Sequence, residues 1–212
     1  TGGDAGIVLN GTKILTSDVT LTTSNDLVDL DTGAIVSNDG TQGLVIAAGS
    51  GTVSLADVGQ GGGTNALTDL AVTGGTINLG GNITTSGGAG IVLNGTKNLT
   101  ADVTLTTSDD LVDLDNGEIV SDDGTQGLAI AAGTGTVSLA DVGQGGAANA
   151  LTDLAVTGGT INLGGNITTS GAAGIVLSGT KNLTADVTLT TSEDLVDLAA
   201  GAVVGEEGSQ GV

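Results

Sequence analysis

Apolar and polar residues alternate with a period of two along much of the chain. The run from Asp102 to Thr106 (DVTLT) and the run from Thr160 to Leu163 (TINL) show the pattern, and both are rich in β-branched residues. Successive side chains of a strand point to opposite faces, so this alternation predicts short, half-buried strands. Gly pairs, Asn-Gly and Asp-Gly steps interrupt the runs every few residues and predict turns between them. Apolar spacing of three and four is nowhere sustained, and each Gly would cost a helix about 1 kcal/mol. The local pattern is therefore all β.

The strands recur. AGIVLNGTK from Ala5 to Lys13 returns from Ala89 to Lys97, and again as AGIVLSGTK from Ala173 to Lys181, each time after 84 residues and without a gap. The chain divides into a first repeat at 1–84, a second at 85–168 and a half repeat at 169–212. A weaker likeness lies inside the repeat. GIVLNGTKNLTADV (Gly90 to Val103) resembles GLAIAAGTGTVSLADV (Gly127 to Val142), and DLVDLDNGEIV (Asp110 to Val120) resembles ALTDLAVTGGTINL (Ala150 to Leu163). Two halves of two coils each predict four coils of about 21 residues per repeat, a usual solenoid length. The expected fold is a single elongated parallel β-solenoid of about ten coils, a rod roughly 48 Å long at the spacing of neighbouring strands. Thr1 falls at the phase of Thr85 and Val212 at that of Leu128, so the chain is expected to be a piece cut from a longer array.

Composition agrees with a thin core. The chain has no Phe, Trp, Tyr, Met, Cys, Pro or His, while its mean hydropathy is +0.33. Sandwiches and propellers fill the gap between sheets with large side chains, whereas a narrow coil needs only Val, Ile and Leu. Formal charge is −21, from 24 acidic residues against Lys13, Lys97 and Lys181. Such an excess repels phosphate backbones and excludes nucleic acid as a partner. The longest apolar runs fall far short of the roughly 18 residues of a membrane-spanning helix, so membrane insertion is not expected.

With these features in hand, the tract GTGTVSLADVGQGG…NALTDLAVTGGTINLGGNITTSG, from Gly133 to Gly171, resembles the repeats of filamentous-haemagglutinin-like adhesins and of bacterial "beta strand repeat" surface proteins. The resemblance is one of repeat style over the whole chain and carries no catalytic motif. It implies a secreted or cell-surface β-solenoid used for adhesion, matrix or filament construction.

Candidate chemistry is sparse. Without His, Cys, Tyr or Arg, acid–base and nucleophilic catalysis is left with carboxylates, Lys and hydroxyls. Every carboxylate pair recurs with the repeat, unlike a single active site, so no catalytic or cofactor-binding residue is assigned and the chain is not expected to be an enzyme. Calcium is the one ion that the acidic clusters suggest. Asp26, Asp29 and Asp31 recur as Asp110, Asp113 and Asp115, with Asn38-Asp39 and Asp122-Asp123 nearby, and Ca²⁺ collects such oxygens. Neither known calcium loop pattern is present, so no metal ligand is assigned and the acids are read as a solvated face that keeps sheet edges apart. Asn78 and Asn162 are expected to cap corner backbone. Threonine pairs such as Thr104 and Thr106 recur once per repeat, too sparse for an ice-templating face.

These readings converge on an extracellular or cell-surface structural or adhesive rod that associates with itself, edge to edge or laterally, or with host or cell-surface glycans or proteins. A laterally tiling S-layer or sheath subunit is the alternative, and a carbohydrate-active β-helix enzyme the outsider. In the last repeat Asp115, Asn116 and Glu118 become Ala199, Ala200 and Ala202, a loss of charge expected where this end meets another surface.

Overall fold

The structure, a computed structural model, describes residues 6–205. Its strands are all paired in parallel, and no α-helix occurs among the described residues. The expected parallel β-solenoid is what forms.

Three ladders run the length of the rod, one on each side of a three-sided coil. On the first face Ile7, Val28, Val53, Ile77, Lys97, Ile119, Val142, Ile167 and Leu189 lie one above another. On the second, Lys13, Ile35, Val58, Ile83, Leu105, Ile130, Val156 and Leu177 do so, and Val196 continues that face beyond Ile175. The third holds Val19, Leu44, Leu70, Ile91, Val112, Val137, Ile161, Lys181 and Val203. The rod thus has about nine turns and a length of roughly 43 Å at the strand spacing of a sheet.

Alternation decides which residues line the interior. In Thr136–Leu139 the residues Val137 and Leu139 are buried while Thr136 and Ser138 face outward. The core is a set of aliphatic columns such as Val28, Val53 and Ile77, each less than 1% exposed. Two long strands, Leu67–Leu79 and Ile83–Leu99, bend round a corner without leaving the ladder. Their register shifts where Gly74 and Gly75 intervene between Thr73 and Thr76.

The repeat does not divide into whole coils. From Ile7 to its equivalent Ile91 the chain lays down eleven sides, beginning at Ile7, Lys13, Val19, Val28, Ile35, Leu44, Val53, Val58, Leu70, Ile77 and Ile83. Eleven sides are three and two-thirds coils, not the four expected. The two halves that resemble one another are unequal: five sides separate Ile91 from Leu128, and six separate Leu128 from Ile175. Coils also average about 23 residues, not 21, because some connections are long, as at 38–43 and 56–66 between strands. Hence nine turns, not ten. Each repeat is also rotated by one side against its predecessor. Lys13 belongs to the second face, Lys97 to the first and Lys181 to the third.

Close backbone stacking at corners calls for Gly in places. At Gly95, φ is +137° and an added Cβ would lie 1.9 Å from the Gly74 carbonyl oxygen one coil away. At Gly62, φ is +75° but nothing lies within 4 Å. With ψ at 170° this is a conformation essentially reserved for glycine, so Gly62→Ala should cost that backbone strain alone, about 1–3 kcal/mol. Gly95→Ala must also push two coils apart, and its loss measured by denaturant unfolding should be clearly larger.

Candidate functional site: lysine clasps and corner caps

The three lysines are the least ordinary residues of the structure. TKNL (Thr96 to Leu99) lies over TINL (Thr76 to Leu79), so Lys97 takes the inward position that Ile77 occupies one coil before. Its aliphatic stem fills that core column and the residue is 0% exposed. Its ammonium reaches the corner of the next coil and donates to the carbonyls of Leu114 (3.0 Å), Asn116 (2.7 Å) and Gly117 (2.6 Å). Lys181, also 0% exposed, does the same to Leu198 (2.8 Å), Ala200 (2.6 Å) and Gly201 (3.1 Å). Lys13, in the first described coil, donates to Leu30 (3.0 Å), Thr32 (2.8 Å) and Gly33 (2.7 Å). An ammonium has three N–H groups, and each clasp supplies three acceptors.

Burial pushes the Lys97 ammonium down to about 8, against the attraction of Asp113, Asp115 and Glu118 around the turn. Burial likewise lowers Lys13, opposed by Asp31 and Asp29. Asp115 is raised, first by burial and then by the neighbouring Asp113.

Of the acids expected as a possible calcium cluster, Asp29, Asp31, Asp113 and Asp115 flank this corner, whereas Asp26 and Asp110 lie at the preceding corner, before the strands Val28–Leu30 and Val112–Leu114. Asp29 and Asp113 accept from the backbone N–H of Asp31 (3.1 Å) and Asp115 (3.2 Å), closing tight turns. Asp26 and Asp110 offer their carbonyls to the hydroxyls of Thr23 (2.8 Å) and Thr107 (2.9 Å). The Asp26 Oδ2 atom is buried and makes no hydrogen bond. Among the described residues no three acidic side chains gather into a metal-holding group. The cation beside Asp29 and Asp31 is the Lys13 ammonium, and the one beside Asp113, Asp115 and Glu118 is that of Lys97.

Other acidic and amide side chains brace one coil to the next. Gly43 N–H donates to Asp18 Oδ1 (2.9 Å) and Gly127 N–H to Asp102 Oδ1 (2.9 Å). Asn82 N–H donates to Asp57 Oδ1 (2.8 Å) and Asn166 N–H to Asp141 Oδ1 (2.7 Å), each 25 residues along the chain. Asn25 and Asp109, at φ +67° and +68°, accept from Ser50 (2.9 Å) and Thr134 (2.8 Å) N–H. Asn and Asp tolerate that left-handed conformation better than other side chains do. Asn82 and Asn166, in turn, accept from Thr104 and Thr188 N–H at 2.8 Å. Reading the acids only as a solvated face misses this role. Asp39, in a bulged corner, accepts from Thr41 N–H (3.2 Å), its hydroxyl (2.7 Å) and Gln42 Nε2 (2.8 Å). The bonds from Thr41 and Gln42 hold the Asp39 carboxyl below the usual range, and Thr125 and Gln126 do the same for Asp123.

Asn78 and Asn162 do not cap corner backbone. They form half-buried ladders on the outer surface: Asn78 Nδ2 donates to Ser54 Oγ (3.2 Å), and Asn98 Nδ2 to Asn78 Oδ1 (3.2 Å). Asn162 and Asn182 repeat this over Ser138. Thr20 stacks on Val45, Ala71 and Val92, so the threonine pairs form no continuous array.

The clasps were overlooked in the sequence, where the lysines stood out only as the sole cations. The signal was available in TKNL set against TINL, a lysine in an isoleucine slot. Compared with family models, with curated proteins and with solved structures, the chain matches none.

The depressed Lys97 pKa sets a pH dependence. Between about 8 and the ordinary lysine value of 10.5 the unfolded chain holds a proton that the folded chain has released. Stability should therefore rise as pH climbs through that window. Urea unfolding at pH 7.5, 9 and 10 should show the increase, and Lys97→Met should flatten its largest part.

Proposed function

We propose that the chain is a stiff structural rod, part of a secreted bacterial surface protein or extracellular filament, and that its work is mechanical and not enzymatic. The observation that carries this reading is the unbroken set of three parallel ladders, braced from coil to coil by lysine clasps and carboxylate caps. Forces along or across the axis are borne by backbone hydrogen bonds and by a dry aliphatic core, and repeat number sets length. The likeness to surface-adhesin repeats supports an extracellular or cell-surface setting, with the rod itself or surface glycans and proteins as partners.

The one-side rotation per repeat favours a rod over a tiling subunit. A surface feature that recurs every 84 residues moves to a new face each time and returns to the same face only after three repeats. Flat tiling needs one face presented repeatedly, whereas a rod that displays its surface in all directions does not. Negative-stain microscopy of the purified chain should show isolated rods or fibres, and two-dimensional sheets would refute the reading.

End-to-end association is part of the proposal. In the last described coils Ala199, Ala200 and Ala202 stand where the repeat before has Asp115, Asn116 and Glu118, which lowers the charge there. Ala200→Asp with Val204→Asp should shorten or abolish fibres while leaving the β circular dichroism signal intact. Calcium is not required in this reading, because ammonium groups already occupy the acidic corners. Millimolar Ca²⁺ should leave the Tm nearly unchanged, and a rise of about ten degrees, lost on Asp29→Ala with Asp113→Ala, would instead assign a metal site.

A further inference from the structure

The corner that receives each lysine has the properties of a binding site independent of the residue that fills it. Three carbonyls converge on one point, from residues 17, 19 and 20 positions beyond the lysine in all three clasps. The convergence persists in the third clasp, where Ala199, Ala200 and Ala202 replace Asp115, Asn116 and Glu118. The side chains of Asp115, Asn116 and Glu118 are therefore not needed for the geometry, while the turn-closing carboxylate is kept: Asp197, in the place of Asp113, accepts from Ala199 N–H (2.9 Å). Backbone packing sets the corner as well: Gly117, at φ +83°, lies so close to Gly95 that an added Cβ would be 2.5 Å from its carbonyl carbon and oxygen. Gly33 over Gly11 and Gly201 over Gly179 repeat the contact, at 2.6 Å and 2.2 Å from the underlying glycine. The approach to the carbonyls runs through an aliphatic column, between Ile77 and Ile119 for Lys97.

We propose that the Leu-x-x-Gly corner is a preformed receptor for a primary alkylammonium group, with three carbonyls for its three N–H donors and an apolar channel for its chain, which the protein fills in cis with its own lysine. The match is to N–H donors on one side and hydrocarbon on the other. It suits a primary amine better than a metal ion, which would need oxygen ligands on all sides. Truncating Lys97 to Ala removes three methylenes and the ammonium, the atoms of n-propylammonium.

The test uses the full chain carrying Lys97→Ala at pH 7. Its Tm is measured with n-propylammonium chloride, and with tetramethylammonium chloride, potassium chloride and 1-propanol at equal concentration. The variant should melt below the wild type, and n-propylammonium should restore more than half of the loss, beyond any shift it causes in the wild type. The three controls, which lack either the charge or the N–H donors, should not. Adding Gly117→Ala should abolish the rescue, because it spoils the carbonyl geometry. Lys181→Ala, whose clasp closes only the last described coils, provides the same measurement if Lys97→Ala does not fold. Equal rescue by potassium or tetramethylammonium, or none by n-propylammonium in the variant that folds, overturns the proposal.

Discussion

A three-sided coil has to turn sharply three times per turn of the rod, and at each corner some backbone carbonyls and amides point where no strand can pair with them. Leaving such a group buried and unpaired costs on the order of 1–3 kcal/mol, repeated at every turn. The rest of the structure depends on how those groups are satisfied. Outward amides are met by Asp and Asn side chains from the preceding coil, as Asp102 meets Gly127 N–H. At one corner per repeat a lysine ammonium is sent through the core to reach three carbonyls.

That arrangement explains why a charged residue stands in a column of isoleucine and valine. Burying a lone ammonium costs several kcal/mol, and the depressed Lys97 pKa shows the cost. Three hydrogen bonds and nearby Asp113, Asp115 and Glu118 offset it, and removing the ammonium would take a donor from three carbonyls at once, of which Asn116 keeps the Gly95 N–H at 3.0 Å. The clasp ties consecutive coils through side chain and backbone together, which a purely aliphatic column does not do.

The eleven-sided repeat gives the rod its symmetry. Because eleven is not a multiple of three, the clasp moves from the second face to the first and then to the third along Lys13, Lys97 and Lys181. Reinforcement is shared among all three sides, and no face accumulates every clasp. A repeat of whole coils would have placed the lysines in one column, with like charges and their bulges stacked along a single edge.

Much of this was legible in the residues alone. Alternation in DVTLT and TINL, glycine-rich turns, an exact period and the absence of aromatic side chains were enough for a parallel solenoid with a thin aliphatic core, because strand pleat and coil stacking are local and periodic constraints. Coil count was not, since the resemblance between half repeats hides that one has five sides and the other six, and only the pairing of distant strands counts sides. Nor was the site. The spacing of Asp26, Asp29 and Asp31 looks like an open cation cluster, but where those side chains point is set by the turn that Asp29 closes and by the coil beneath it. That a lysine ammonium stands beside Asp113 and Asp115 was decided by tertiary structure alone: Lys97 and Gly117 are 20 residues apart, and only the stacking of one coil on the next brings the ammonium to that carbonyl.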